Sequence, residues 1–455
     1  MRTFFIDTVS ILSVVVLTSL SGVVADLYRI NIVDDSNGWP VPLVELRTLH
    51  NVRFISDNAG IIAFDLPELM ETETWFTVEG HGYSVPEDGF GYRGVRLTPR
   101  RGESITIKVH RQLPAKRLGR ITGAGLFGES QKLGLETEWK EQGILGCDSV
   151  QNVIYNGRLY WNWGDTTLAN YPLGRFHMIG ATTELQPLKS FKPPVHLRYD
   201  YFVDQSRVVR DLAKMPGDGP TWLNGYCSLP DQTGKSRLVA TYSKIKQPLT
   251  IYEIGLCTWT DERSAFEKSA VLWNLTDDHS KPPDTPHGHT VLWTDDAGES
   301  WVLFGDPFPT MKCPATYESW ADSKTWSKIN AQKQVPVRGG AASIEPHRGS
   351  IAWNDFRKKW VTVFTQAFGD SSYLGEIWYA EADTPFGPWK DATKVVTHDK
   401  YTFYNPKLHP EFTPTGSSVL LFEATFTNMF SATKAATPRH DYNQVLYRLD
   451  LDSIE

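Results

Sequence analysis

From Leu27 onward, short runs alternate apolar and polar residues and are broken by turn signals, which predicts strands rather than helices. In the first part of the chain these runs are 28–33, 41–47, 61–64, 74–79, 95–97 and 104–110, separated by turns such as Asn37-Gly38 and Asn58-Ala59-Gly60. The spacing predicts a small antiparallel β-sandwich over 26–113. Residues 112–133 lose the alternation and are rich in glycine, so 114–133 reads as a linker. Beyond it, over 134–455, a polar entry loop, a strand, a turn and two further strands recur about every 60 residues. The copies open at Asp148, Asn224, His289, Gly349 and Tyr404. Five sheet units of this size predict an all-β chain in which the sandwich is followed by a five-bladed β-propeller, an architecture that protects its sheet edges by radial repetition.

The first copy carries the candidate chemistry. Asp148 precedes a short apolar strand, Asn156-Gly157 is a hairpin turn signal, and Asp165 ends the returning strand. A hairpin brings its start and end to one side, so two acids far apart in sequence are expected at one rim. Paired carboxyls there suit glycosidic bond cleavage. Inner strands of a propeller begin around one axis, and superposing the copies nominates a ring. Asp148, Asn224, His289, His347 or Glu345, and His409 come from inner-strand entries; Asp165, Asp306, Gln366 and Glu423 come from second-strand ends. Trp163, beside Asp165, is a candidate sugar platform.

Composition narrows the classes. The chain has 455 residues, 46 Lys and Arg against 53 Asp and Glu, and a net charge of -7, with the signs mixed along the sequence; no basic stripe recommends a nucleic acid. Sixteen Trp and eighteen Tyr suit both strands and sugar stacking. Residues 1–25 read as a secretory signal, with Arg2, an apolar run over 11–20 and small residues before Asp26. That run is short for a membrane span, and no other segment approaches about 20 apolar residues. The expectation is an exported protein, secreted or periplasmic, without a membrane span and monomeric. Cys147, Cys227, Cys257 and Cys313 have no C-x-x-C spacing, which argues against zinc and leaves room for one or two disulfides. No cofactor or metal ligand set is read; a structural calcium in the propeller stays open.

Several stretches resemble known families. Pro40-Val-Pro-Leu-Val-Glu-Leu46 with Ser56-Asp-Asn-Ala-Gly60 resembles the transthyretin-like or carboxypeptidase-regulatory module, which implies an accessory domain without chemistry, Glu79 and His81 lying at its surface. Over 134–452 the pattern is similar to five-bladed propeller glycoside hydrolases of the arabinanase, xylosidase and fructosidase type. That resemblance implies an Asp at the start of the first blade as general base and a Glu from a later blade as general acid. Asp148 matches the base. Ala382-Asp-Thr-Pro-Phe-Gly-Pro-Trp389 is similar to the stretch closing an outer strand in family 43 blades, and Gly164-Asp165-Thr166 looks like the endo-D-arabinanase type. Glu345-Pro346-His347 echoes the Glu-Gly-Pro of the acid without its glycine, and Glu376 competes, so the acid is open between the two.

The expected function is cleavage of a polysaccharide or oligosaccharide by an arabinanase-like glycoside hydrolase. Inversion is expected because base and acid would come from opposite blades. Asp165 would orient and tune the base, while Asn224, His289, Asp306, His347, His409, Glu423 and Trp163 would contact the sugar. Two rivals stand beside it. Thr294-Asp-Asp-Ala-Gly-Glu-Ser-Trp301 fits the Asp-box turn of sialidase-like propellers, with Arg338 and Arg348 as candidates but no arginine triad. A non-catalytic carbohydrate-binding propeller would use the same aromatics and polar rim.

Overall fold

The alternating runs become strands because each buries one face or both. In the computed structural model, which describes residues 26–139, 141–276 and 281–454, the first strands form two four-stranded sheets. One contains Ile61–Phe64, Tyr28–Asp34, Ser104–Arg111 and Tyr83–Ser84 in that order, with Tyr28–Asp34 and Ser104–Arg111 parallel. The other contains Arg53–Ile55, Glu45–Thr48, Thr74–Glu79 and Gly94–Leu97, all antiparallel. Their facing residues, among them Ile30, Ile32, Leu46, Phe76 and Val109, make one core. The leader read at residues 1–25 lies outside the described residues.

Five four-stranded sheets follow, the blades of a β-propeller. Blade 1 is Gln151–Tyr155, Arg158–Trp163, Ile179–Thr183 and Asp200–Tyr201; blade 2 is Thr221–Pro230, Ser236–Lys246, Thr250–Thr260 and Ala265–Asn274. Blade 3 is His289–Thr294, Ser300–Gly305, Pro309–Pro314 and Ser327–Lys328, and blade 4 is Pro346–Asn354, Lys359–Gln366, Glu376–Ala382 and Lys390–Thr397. Blades are packed on both faces, which is why Val419–Thr427 in blade 5 is buried at every position. The Asp-box stretch is a turn in blade 3. Asp295 Oδ1 accepts from the backbone N–H of Ala297 and Glu299, and Trp301 Nε1 donates to its Oδ2, at the end of the hairpin opposite His289.

Blade 5 departs from the linear reading. After Thr402–Leu408, Val419–Thr427 and Asn443–Asp450, its fourth strand is Lys116–Arg120, from the stretch expected to be a linker. The alternation there is hidden because Arg117 and Arg120 are buried cations. The Arg117 guanidinium donates to the carbonyls of Pro42, Leu43, Gly80 and His81 in the sandwich. Gly128–Lys132 adds a short helix, where Glu129 Oε2 accepts from Ala63 N–H at 3.0 Å and Asp57 Oδ2 accepts from both Ser130 N–H and Ser130 Oγ at 2.6 Å. Such buried, satisfied polar contacts tie sandwich to propeller and cost the unfilled bond when one partner goes. His81, expected at a surface, instead stacks on His398 of blade 4's exit loop at 4.8 Å between ring centroids. All four cysteines are buried and unbridged, so the room left for disulfides is not used.

Two predictions follow from this seam. A chain starting at Glu129 loses the strand that completes blade 5; it should aggregate or lose its near-ultraviolet circular dichroism, and a soluble, cooperatively melting product would contradict the pairing. The second concerns pH. Burial, reinforced by Arg117, holds His81 down at about 3, and burial with nearby cations holds His398 and His440 well below the ordinary range. The unfolded chain binds these protons near pH 6.5 while the folded chain does not, so their contribution is present above that pH and is lost below it, at about 1.4 kcal/mol per pH unit and group. Thermal melts should therefore shift down from pH 7 to pH 5. The slope should be shallower in His440→Gln, which keeps a donor toward the Ser56 carbonyl that His440 Nε2 faces at 3.2 Å.

Candidate active site

The hairpin of blade 1 turns at Asn156-Gly157, both with positive φ (50° and 76°), as a two-residue turn matching strand twist requires. Its strands run back to Gln151 and Trp163, and beyond them the same two paths pair again, Ile144–Cys147 with Thr166–Leu168. Asp148 and Asp165 lie where the ladder breaks between these sheets. Asp148 N–H donates to the Asp165 carbonyl at 3.2 Å, and Gly164 N–H donates to the Asp148 carbonyl at 2.8 Å. Two residues thus oppose one, as in a bulge, a device that re-aims side chains at the rim of a sheet. Gly164 has to be glycine, because a Cβ there would lie 2.2 Å from Asp148 Oδ1.

Both aspartates line a cavity of about 620 Å³ at the propeller axis, within the size range of small-molecule sites. Asn224, His289, Asp306 and His347 from the predicted ring line it as well. Tyr404 Oη donates to Asp148 Oδ2 at 2.7 Å. Burial pushes the Asp148 carboxyl up, and hydrogen bonds from Tyr404, Tyr442 and Ser149 act against that rise. Asp165 has fewer donors. Burial and the neighbouring Asp148 charge raise it to about 7, with only Trp222 Nε1, at 3.3 Å from Oδ1, acting the other way. Burial, with nearby cations, lowers His289 and His347, which are therefore neutral imidazoles at pH 7. Asp306 accepts from Gly349 N–H at 2.7 Å and from Arg348 Nη1 at 3.2 Å.

Other nominated residues are elsewhere. Glu376 is buried behind the wall; its Oε1 accepts from Ser371 N–H at 2.9 Å, which braces the loop that carries Tyr373 and Leu374 to the cavity. Glu345 is exposed and outside the lining. Gln366 is likewise absent from it and accepts from Trp378 Nε1 at 2.8 Å. His409 is buried between two carboxylates, its Nδ1 2.9 Å from Glu411 and its Nε2 2.8 Å from Glu423, so neither His409 nor Glu423 reaches the cavity. Trp163 is fully buried and stacks on Trp161 at 5.9 Å as core, not as a sugar platform. Among the described residues no three His, Cys, Asp or Glu side chains converge to hold a metal.

Blade 5 shows why superposing the copies misled. Its inner strand is Thr402–Leu408, so the rim is reached at Tyr404 and Asn405, whereas His409 follows the far end. Likewise Glu423 is in the middle of Val419–Thr427, not at its end. Tyr442, Trp222 and Tyr373 also line the cavity and were not nominated, and Arg348 lines it too but was weighed only as a sialidase-type arginine. Trp222 and Arg348 adjoin Asn224 and His347, and extending each inner-strand entry by two residues would have found both.

No protein-family model matches the chain, and no curated protein matches it. Solved structures similar to it include an exo-1,5-α-L-arabinanase from a bovine ruminal metagenomic library, at 11% identity and TM-score 0.38 over 68% of this chain and 94% of that one. Another is a Bacillus subtilis arabinanase, at 11% identity and TM-score 0.35 over 67% and 96%. A third is an exo-β-1,3-galactanase from Phanerochaete chrysosporium, at 10% identity and TM-score 0.38 over 66% and 60%. At such identities and scores nothing about substrate or catalytic residues transfers to this chain.

The site yields a direct prediction. Because Trp222 donates to Asp165, protonation of that carboxyl should change the indole's emission with a midpoint about 7. The fluorescence difference between wild type and Trp222→Phe, followed from pH 5 to 9, measures it. The transition should vanish in Asp165→Asn.

Proposed function

We propose that this chain is an exported glycoside hydrolase in which Asp165 is the general acid and Asp148 the nucleophile. The observation that carries the reading is the pair itself: two carboxyls on adjacent strands in one cavity, one accepting from Tyr404 Oη and the other raised to about 7 by burial and by its neighbour. Groups in one site with diverging proton affinities mark acid and base roles. Asp165, protonated in part at neutral pH, would protonate the departing glycosidic oxygen. Asp148, ionised and aimed by Tyr404, would attack the anomeric carbon, and water activated by Asp165 would then release the sugar.

Inversion was expected from an acid on the fourth blade, and that ground is gone with Glu376 and Glu345 outside the cavity. Residues opposite each other on antiparallel strands have Cα atoms roughly 4.5–5.5 Å apart. That favours the short carboxyl spacing, about 5 Å, of retaining enzymes over the wider one that admits a water. The preferred substrate is a neutral glycan. Three aspartates line the cavity, whereas Arg348 is its one lining arginine and already serves Asp306, which disfavours the carboxylate of a sialic acid.

Asp148→Asn and Asp165→Asn should each lower release of reducing sugar by at least about 10³-fold, with melting temperature nearly unchanged, on a panel of plant, algal and mycobacterial glycans. Proton NMR of the first product should show retained configuration; inversion would require Asp148 to act as a base with a more distant acid. Wild-type binding without cleavage across the panel would favour the carbohydrate-binding propeller instead.

A further inference from the structure

The mouth of the cavity presents apolar side chains that neither the carboxyl pair nor the propeller core uses. Residues 428–442 join Val419–Thr427 to Asn443–Asp450 in blade 5, and this loop brings Met429, Phe430 and Tyr442 to the cavity lining. Met429 is 45% exposed and Phe430 64%, and Phe430 has a φ of 57°, so its ring is held in water against a local backbone preference. Exposed hydrophobics scattered singly over a surface are ordinary. These two are adjacent, line the same cavity as the aspartates, and are carried by a loop that is bonded on two sides.

Blade 5 supplies one set of bonds. Asn428 N–H donates to Asp441 Oδ1 at 2.7 Å, which draws the two ends of the loop together, and Thr402 Oγ1 donates to the Met429 carbonyl at 2.5 Å. The sandwich supplies the other. Arg53 Nη1 donates to the Ala436 carbonyl at 3.3 Å, while its Nε and Nη2 donate to the buried Glu45 Oε2 at 3.0 and 2.6 Å. His440 Nε2 lies 3.2 Å from the Ser56 carbonyl. Tyr401, buried and stacked on Phe426 at 4.7 Å, donates through Oη to the Ala435 carbonyl at 3.0 Å and accepts from Thr437 Oγ1 at 2.5 Å. Its own carbonyl accepts from Ser372 Oγ, in the blade 4 loop that brings Tyr373 and Leu374 to the same cavity.

We propose that Phe430 is a specificity-determining residue, the platform for a sugar ring beside the one seated at Asp148 and Asp165, and that Arg53 is a positioning residue through which the sandwich holds that platform. The occupant is a glycan chain, because Phe430 is exposed at the mouth of the cavity that contains the carboxyl pair, and a chain with one sugar seated inside leaves through that mouth. An aromatic face covers the C–H face of a sugar and leaves the hydroxyls at its edge in water. The preferred substrate is therefore an oligomer or polymer rather than a simple glycoside. The inference deepens the hydrolase reading and rests on it for the kinetic consequence.

The test uses full-length protein and, from the panel glycan that is cut, its oligosaccharides of two to six residues. In wild type kcat/KM should rise with length. Phe430→Ala and Phe430→Leu should each reduce the ratio between the longest and shortest substrate roughly tenfold, chiefly through KM, and Phe430→Trp, which keeps a ring, should restore it. Arg53→Met combined with Glu45→Gln, so that no carboxylate is stranded, should reduce the ratio in the same way and speed hydrogen exchange at the amides of 428–441. A flat length series in wild type, or the same rise in Phe430→Ala, overturns the platform and leaves the hydrolase reading standing. Wild-type length dependence and exchange in the Arg53 double variant, whatever its melting temperature, overturn the positioning role. Where no panel glycan is cut, binding on the glycan panel decides. Binding lost in Phe430→Ala and Phe430→Leu but kept in Phe430→Trp would retain the platform and remove the hydrolase reading; equal binding by all four proteins, or none by wild type, overturns the proposal.

Discussion

A ring of five sheets has a first and a last edge, and the structure depends on how they meet. Here the last blade is completed by Lys116–Arg120, a strand that precedes the first blade in sequence, paired antiparallel to Asn443–Asp450. Without that strand the ring would be held only by side chains between blades 5 and 1, and Asn443–Asp450 would present an open edge. Closure also determines the site. Tyr404 and Tyr442 come from the last blade and Asp148 from the start of the first, so the bonds around Asp148 exist only while the seam is shut. The Gln444 side chain links the two, its Nε2 donating to the Cys147 carbonyl at 3.1 Å and to Thr425 Oγ1 at 2.9 Å.

The sandwich is part of that seam. Arg117 and Arg120 sit on the closing strand with side chains too costly to bury alone. Four sandwich carbonyls satisfy Arg117, while Asn58 of the sandwich brackets the backbone of Arg120, accepting from its N–H at 3.0 Å and donating to its carbonyl at 2.8 Å. An accessory module that only tethered a substrate would need no such contacts. The closing strand is thus gripped from one side by blade 5 and from the other by the sandwich.

Local patterns made much of this legible and non-local ones did not. The strands of both regions follow from alternation, and the placing of Asp148 beside Asp165 follows from a hairpin whose turn is written in Asn156-Gly157. Closure by Lys116–Arg120 was hidden, because two arginines interrupt the apolar pattern and their partners are distant in sequence. The ring of candidates meets the cavity where it was read from the entry of an inner strand, as at His289 and His347, and misses it where it was read from the other end, as at His409. Glu345 was drawn in by resemblance to a motif and Glu376 by its place just after a strand loop, and exposure of the one and burial of the other keep both out of the cavity lining.

Backbone strain also marks the cavity that holds the two aspartates. Ser149, Met178, Leu249, Asn405, Phe430 and Tyr442 all have positive φ without being glycine, and all line the one cavity that holds the aspartates. Such conformations cost of order 1–3 kcal/mol each and persist only where surroundings over-determine them. Leu249 and Phe430 also leave large apolar side chains exposed at the mouth, which stability alone does not reward. Positive φ also occurs away from the rim, in turns such as those at Asn156 and Lys358. At Ser149 and Asn405 it interrupts strand alternation where inner strands meet the cavity. That lets Asp148 and Ser149, neighbours in sequence, face the same partner element, and it converts a structural ring into a site with two unequal carboxyls.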